Sequence, residues 1–208
     1  FPGEWAGGLI QINTKDVPSK NFFNVQLGTG FNSQTIGKDF YKVPGGKTDW
    51  LGIDDGYRDL PPAYTTKTQF DDLSHSDKTA IGKAMKNVWA GEKGNAPLNL
   101  SFQANGGLNT IVLGKKVGGV LSVVYNKNNR YQALVNRLNA IDQQNVSTDY
   151  NYNDNKYAQD VNWGALGSLS IQLNALNKIS VKSVLNVNTT NYITNRSGIN
   201  NVRGDNIY

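Results

Sequence analysis

Apolar and polar residues alternate one by one along much of this chain, which is the period of a β-strand and not of a helix. In Asn21 to Asn32, Phe23, Val25, Leu27, Thr29 and Phe31 fall on one face, and Asn24, Gln26, Gly28, Gly30 and Asn32 on the other. Leu98 to Asn109 repeats the pattern, with Leu98, Leu100, Phe102, Ala104 and Leu108 against Asn99, Ser101, Gln103, Asn105 and Asn109. A third strand is predicted from Val117 to about Tyr131, with Leu121, Val123 and Tyr125 as its better apolar face. A fourth carries Val161, Trp163, Ala165, Leu169, Ile171 and Leu173, and a fifth Ile179, Val181, Leu185 and Val187 opposite Ser180, Lys182, Asn186 and Asn188. The polar faces hold amides, hydroxyls and glycines where a soluble sheet more often holds charges. A shorter strand, Leu9 to Asn13, lies between a Gly-Gly pair and the break at Asp16 to Pro18.

The connections are expected to run long, short, long, short, long. Ser33 to Pro97 is a long loop with turn signals at Pro44-Gly45-Gly46, Asp54-Asp55-Gly56 and Pro61-Pro62. Within it Ser76 to Ala90 reads as a helix, capped by Ser76, with Ile81, Met85, Val88 and Trp89 on one face. Gly114-Lys115-Lys116 is expected to be a tight reversal, as is Ala175 to Lys178. Leu138 to Gln159, dense in Asn, Asp and Tyr, reads as a second long loop, and the chain from Thr190 as a third.

Long loops at one end and tight turns at the other are the layout of an outer-membrane barrel, whose strands need only about 10 residues to cross. The expected fold class is therefore mainly β, antiparallel up-and-down strands of a partial outer-membrane β-barrel, with one short helix in a long extracellular loop. A lysine at the lipid midplane costs about 2 to 4 kcal/mol, so Lys182 and the amides are assigned to the lumen face and the apolar face to lipid.

Composition narrows the function. Apolar residues make up 38% of the 208, little for a broad internal core, and no run approaches the roughly 20 apolar residues of a membrane-spanning helix. There is no cysteine, which removes disulfides and thiol chemistry. A net charge of +5 arises from scattered Lys and Arg, with Lys115-Lys116 the one adjacent pair, so no clustered nucleic-acid face is expected.

The runs GGLIQINTKDVP, NFFNVQLGTGFNSQT and GGKTDWLGIDDGYRDLP resemble TonB-dependent outer-membrane receptors of the Bacteroidetes type. The resemblance implies that residues 1–18 are the C-terminal end of a plug domain, through Gly7 to Lys15. It implies that residues 19–208 are the first strands and extracellular loops of a barrel, and that Thr48 to Pro61 is a signature of the first loop. Such receptors have about 22 barrel strands, so this chain would be a fragment of one. The implied activity is import of a large or scarce nutrient across the outer membrane of a Gram-negative bacterium. The implied partners are outer-membrane lipid, the TonB complex through the missing plug region, the nutrient ligand and a surface lipoprotein. The alternative is a secreted or surface β-sandwich that binds carbohydrate.

Ligand contacts are expected from the aromatic and charged loop residues, Trp50, Asp54, Asp55, Tyr57 and Arg58 in the first loop and Tyr150, Tyr152 and Tyr157 in the second. For Asp54, Asp55, Asp59 and Arg58 the competing reading is pairing within the loop. Asp149, Asn151, Asn153 and Asp160 have partial calcium-loop spacing, but Asp154 stands where that loop needs glycine. No nucleophile and base pair up around the single histidine, His75, and no enzyme activity, metal or cofactor is expected.

Overall fold

The structure is a computed structural model that describes residues 17–86, 88, 90–142 and 145–207. The strand expected at Leu9 to Asn13, the expected plug segment up to Asp16, and Trp89 lie outside the described residues. The fold is mainly β, 60% strand and 10% helix, with antiparallel sheets and two helices.

Among the described residues the main sheet has six strands. They are β1 (Phe22–Gly30), β4 (Asn99–Val112), β5 (Lys115–Asp142), β6 (Asn145–Gln172), β7 (Lys178–Asn200) and β8 (Asp205–Ile207), adjacent in that order. Between β1 and β4 the chain makes a separate ribbon, β2 (Asp39–Lys42) with β3 (Glu92–Asn95), in the register Phe40 opposite Gly94 and Tyr41 opposite Lys93. Two helices, α1 (Lys67–Asp71) and α2 (His75–Ala84), stand inside the same connection.

Two expected loops are strand instead. Residues 138–142 and 145–159 extend β5 and β6, and residues from Thr190 to Asn200 extend β7. Asn and Asp disfavour strands on their own, but here they meet partners across the ladder. Arg196 grips Asp154 through two bonds of 2.7 Å, Asn200 donates to the Tyr152 hydroxyl at 2.7 Å, and Tyr150 stacks on Tyr152 at 4.8 Å. Asp160 pairs with Arg130 at 3.2 Å and accepts from Thr190 at 2.8 Å. The calcium-loop spacing from Asp149 to Asp160 is therefore carried on a strand, with Asp154 and Asp160 held by arginines.

The helix also differs. It begins at His75 and ends at Ala84, shorter than expected, and its cap is Ser74, which accepts from the Asp77 amide at 3.2 Å while donating to the Asp77 carboxylate at 2.6 Å. Met85 turns extended. Lys86 then donates to the Tyr57 carbonyl and lies 3.8 Å from the Tyr57 ring centre, which takes the chain away from the helix axis. The first reversal sits one residue earlier than expected, at Leu113-Gly114, both at positive φ (50° and 71°) as a two-residue hairpin turn requires.

The chain divides into two compact units. The first comprises Phe1–Gln26, Phe102–Val124 and Gly164–Asn186. Within it the polar faces coincide, since Ser122 donates to Asn105 at 2.5 Å and Ser170 to Ser180 at 3.0 Å. That bond fixes the phase of β5, with Leu121 and Val123 on the opposite face. Gly107 leaves room for the Phe22 ring, which a Cβ would strike. The apolar row stays exposed at Phe23 (74%), Val25, Leu108, Leu121, Leu169, Ile179, Val181 and Leu185.

The second unit comprises Leu27–Ser101, Tyr125–Trp163 and Val187–Tyr208. Its core forms where the β2–β3 ribbon meets the strands. Phe40 is fully buried against Tyr157 and Ala96, with Tyr41, Tyr131 and Ile193 around them. Phe40 meets the Tyr157 ring edge-on at 5.5 Å. Tyr125, Val161 and Trp163, assigned above to the lipid-facing row, are instead engaged by protein here. Val161 is buried, and the other two hydrogen-bond to the first loop.

Phe40→Ala should destabilise the second unit by about 3 kcal/mol, the cost of emptying a buried phenylalanine site. Urea unfolding followed by near-UV dichroism of the tyrosine cluster checks this.

Candidate functional site

The block from Thr48 to Pro61 folds on its own short-range chemistry. A single 3-10 turn, Asp49–Leu51, ends at Gly52, whose left-handed φ of 67° suits glycine. Arg58 returns across this turn and grips both carboxylate oxygens of Asp49, at 2.7 and 2.6 Å, and reaches Asp54 at 3.2 Å. Asp55 accepts from the amides of Lys47 (2.7 Å) and Tyr57 (3.2 Å), and Thr48 donates to the Ile53 carbonyl at 2.6 Å. The acidic string is thus spent on holding the loop in shape. Arg58 lowers the Asp49 carboxyl below its ordinary range, chiefly by hydrogen bonding, and the same pairing raises the guanidinium further. Asp55 is lowered mainly by the Lys47 amide.

Backbone carbonyls attach this block to the strands. Tyr125 donates its hydroxyl to the Trp50 carbonyl at 2.7 Å, and Trp163 donates its indole N–H to the Leu51 carbonyl at 2.6 Å. The Trp50 ring lies 6.4 Å from that of Tyr125.

Between the block and the strands lies a cleft of about 320 Å³, within the range of small-ligand sites. Trp50, Asp54 and Arg58 line it, as does Asp49, so three of the sequence-predicted residues come together. Lys127 on β5, Gln159 on β6 and Thr190 and Asn191 on β7 also line it. Its charges balance, Asp49 and Asp54 against Arg58 and Lys127. With Arg58 committed to two carboxylates, Thr190 donating to Asp160 and Gln159 to Asn129, the cleft offers an indole, the Asn191 amide and an ammonium group to a polar ligand.

The other predicted residues lie elsewhere. Tyr57 lines a separate depression of about 340 Å³ with Leu60, Met85 and Lys86, and Asp55 faces the amides it accepts from. Tyr152 and Tyr157 are buried, the latter in the aromatic core, and Tyr150 stacks on Tyr152. Lys127, Gln159, Thr190 and Asn191 were not singled out by the sequence, because their membership depends on pairing between distant strands. Among the described residues no three His, Asp or Glu side chains converge as a metal site. His75 sits exposed at the first turn of α2.

No protein-family model, curated protein or solved structure matches this chain.

The Asp49 pairing carries a pH dependence. A carboxyl whose pKa is depressed on folding stabilises the fold above its unfolded pKa, and that contribution disappears as pH falls through the folded value. Hydrogen exchange at amides 47–58 should therefore accelerate as pH falls below about 4, after correction for intrinsic rates. Asp49→Asn should show the fast exchange already at neutral pH.

Proposed function

We propose that this chain is a segment of a TonB-dependent outer-membrane transporter, and that its first loop presents the Trp50–Arg58 cleft to an imported nutrient. The observation that carries the reading is the exposed apolar row of the first unit. Phe23, Val25, Leu121, Leu169, Val181 and Leu185 stay open while the alternate positions, Asn105, Ser122, Ser170 and Ser180, bond to one another. A water-soluble sheet buries such a row; a barrel wall turns it to lipid.

The topology supports the same reading. Apart from the inserted ribbon, neighbours in the sheet are neighbours in sequence, as in an up-and-down barrel, and the turns at 113–114 and 173–177 are short. The carbohydrate-binding β-sandwich needs a second sheet against that row; the second sheet among the described residues is the two-stranded ribbon. In a transporter the plug, TonB contact and remaining strands are supplied by further sequence, and a lipoprotein partner meets the loops.

Substitution by face tests the reading. Leu121→Arg should lower insertion into lipid vesicles by about 2 to 4 kcal/mol, the cost of an arginine near the midplane, whereas Gln103→Arg on the opposite face should leave it nearly unchanged. Equal effects of the two, measured by protease protection and heat-modified gel mobility, would sink it.

In the cleft, Trp50→Ala and Lys127→Ala should each weaken ligand uptake by the complete transporter at least severalfold, through loss of stacking area and of a donor. Uptake unaffected by either would remove the cleft from the ligand path.

A further inference from the structure

One face of three adjacent strands lies beneath the first loop. Tyr125 and Lys127 on β5, Gln159 and Val161 on β6, and Thr189 and Asn191 on β7 are each two residues apart, the spacing that keeps side chains on one side of a sheet. Two contacts set the loop over this face. The Tyr125 hydroxyl holds the Trp50 carbonyl at 2.7 Å, and Gly52 comes so close to Thr189 that a Cβ there would strike its hydroxyl. Lys127 and Asn191, the next members of the same two rows, therefore line the cleft together with Trp50.

The polar groups of this cleft fall into two sets. Asp49 gives both carboxylate oxygens to Arg58, Asp54 accepts from the same guanidinium at 3.2 Å, Thr190 donates to Asp160 and Gln159 to Asn129. Among the described residues no hydrogen bond or ion pair engages the Lys127 ammonium, the Trp50 indole N–H or the Asn191 amide. Two of these three groups can only donate, and the one charge among them is positive, on a half-buried side chain. Asp54 is the opposing charge. Its side chain is 43% exposed and already bonded to Arg58, so water and the guanidinium both screen it.

We infer that the cleft takes a ring-bearing carboxylate, its ring against the Trp50 indole and its carboxylate on the Lys127 ammonium. The inference rests on the reading that this cleft meets the imported ligand, and adds the chemical class it selects. A lysine half-withdrawn from water with no counter-ion has lost solvation that a neutral ligand does not restore. A carboxylate restores it through a charge-assisted hydrogen bond, stronger than a bond between neutral groups. Trp50, 54% exposed, keeps ring surface for a second ring to cover, and the Asn191 amide can donate to an oxygen of the ligand. Sugar acids and aromatic acids share this chemistry.

The test is ligand-observed NMR on the full chain in detergent, with empty micelles as the blank, using two pairs of probes: glucuronate against glucose, and benzoate against benzyl alcohol. At least one acid should bind about tenfold tighter than its neutral partner at low salt, and the difference should shrink as salt is added. Which acid does so separates a sugar source from an aromatic one. Lys127→Gln should erase the difference and Lys127→Arg should retain it. Lys38→Gln, the same loss of charge outside the cleft, should leave it intact. Trp50→Ala should weaken the acid and its neutral partner alike. Equal binding of acid and neutral partner, both lost in Trp50→Ala, overturns the carboxylate inference and leaves the cleft as the ligand site. An acid preference that survives Lys127→Gln overturns it as well. So does the lack of any Trp50-dependent binding among the four probes, whereas the transporter reading stands or falls on membrane insertion and uptake.

Discussion

A β-strand sends alternate side chains to opposite faces, and each face must then be covered by something. In the second unit the chain covers its own strands. The ribbon and the first loop bury Phe40 and Tyr157 and take hydrogen bonds from Tyr125 and Trp163. In the first unit the described segments contain strands, turns and the approach to β1, with no helix or second sheet to lay over Phe23, Leu121, Leu169 or Val181. The same alternation therefore leads to a self-covered sheet in one unit and an exposed apolar row among the described residues of the other, the row that the transporter reading assigns to lipid.

The loop that covers the second unit is fixed in an unusual division of labour. Its side chains mostly satisfy one another, through Arg58 with Asp49 and Asp54, and Asp55 with two backbone amides. Its attachment to the strands uses main-chain carbonyls, those of Trp50 and Leu51. A loop held this way keeps its shape without consuming the Trp50 indole or the Lys127 ammonium, so those groups can line a cleft. The aspartates adjacent in sequence, Asp54 and Asp55, are engaged in the same way. Each already has donors, and Arg58 supplies the positive charge between Asp49 and Asp54.

The strands with clean alternation were legible from sequence. β1 spans Phe22–Gly30 inside the expected Asn21 to Asn32, and the polar face holding Asn105 and Ser122 follows the written pattern. What was not legible depended on pairing at a distance. Nothing local in Asp149 to Asp160 indicates a strand, because the groups that stabilise it, Arg130, Thr190, Arg196 and Asn200, are some 30 to 50 residues away. The helix start went to Ser76 rather than Ser74, since two serines compete and the deciding partner is Asp77, three residues after Ser74. In the cleft, Trp50, Asp54 and Arg58 stand out by residue type, whereas Lys127, Gln159 and Asn191 look like ordinary strand residues until the strands are paired.

Strand length bears on which part of the chain lipid can surround. At about 3.3 Å per residue a strand of 28 residues, such as β5 or β6, runs roughly 90 Å, several times the thickness of a hydrocarbon layer. Most of each strand must therefore lie in water on the transporter reading. The ionic partners of β6, Asp154 with Arg196 and Asp160 with Arg130, would be expensive in hydrocarbon, and the solvent-exposed stretches of β5 to β7 are where they belong. The segments 102–124 and 164–186 carry no acid and only lysines, most of them beside the turns. On the transporter reading, charge type, strand length and the exposed apolar row all point to the same short stretch of each strand as the one for lipid, although each follows from a different property of the sequence.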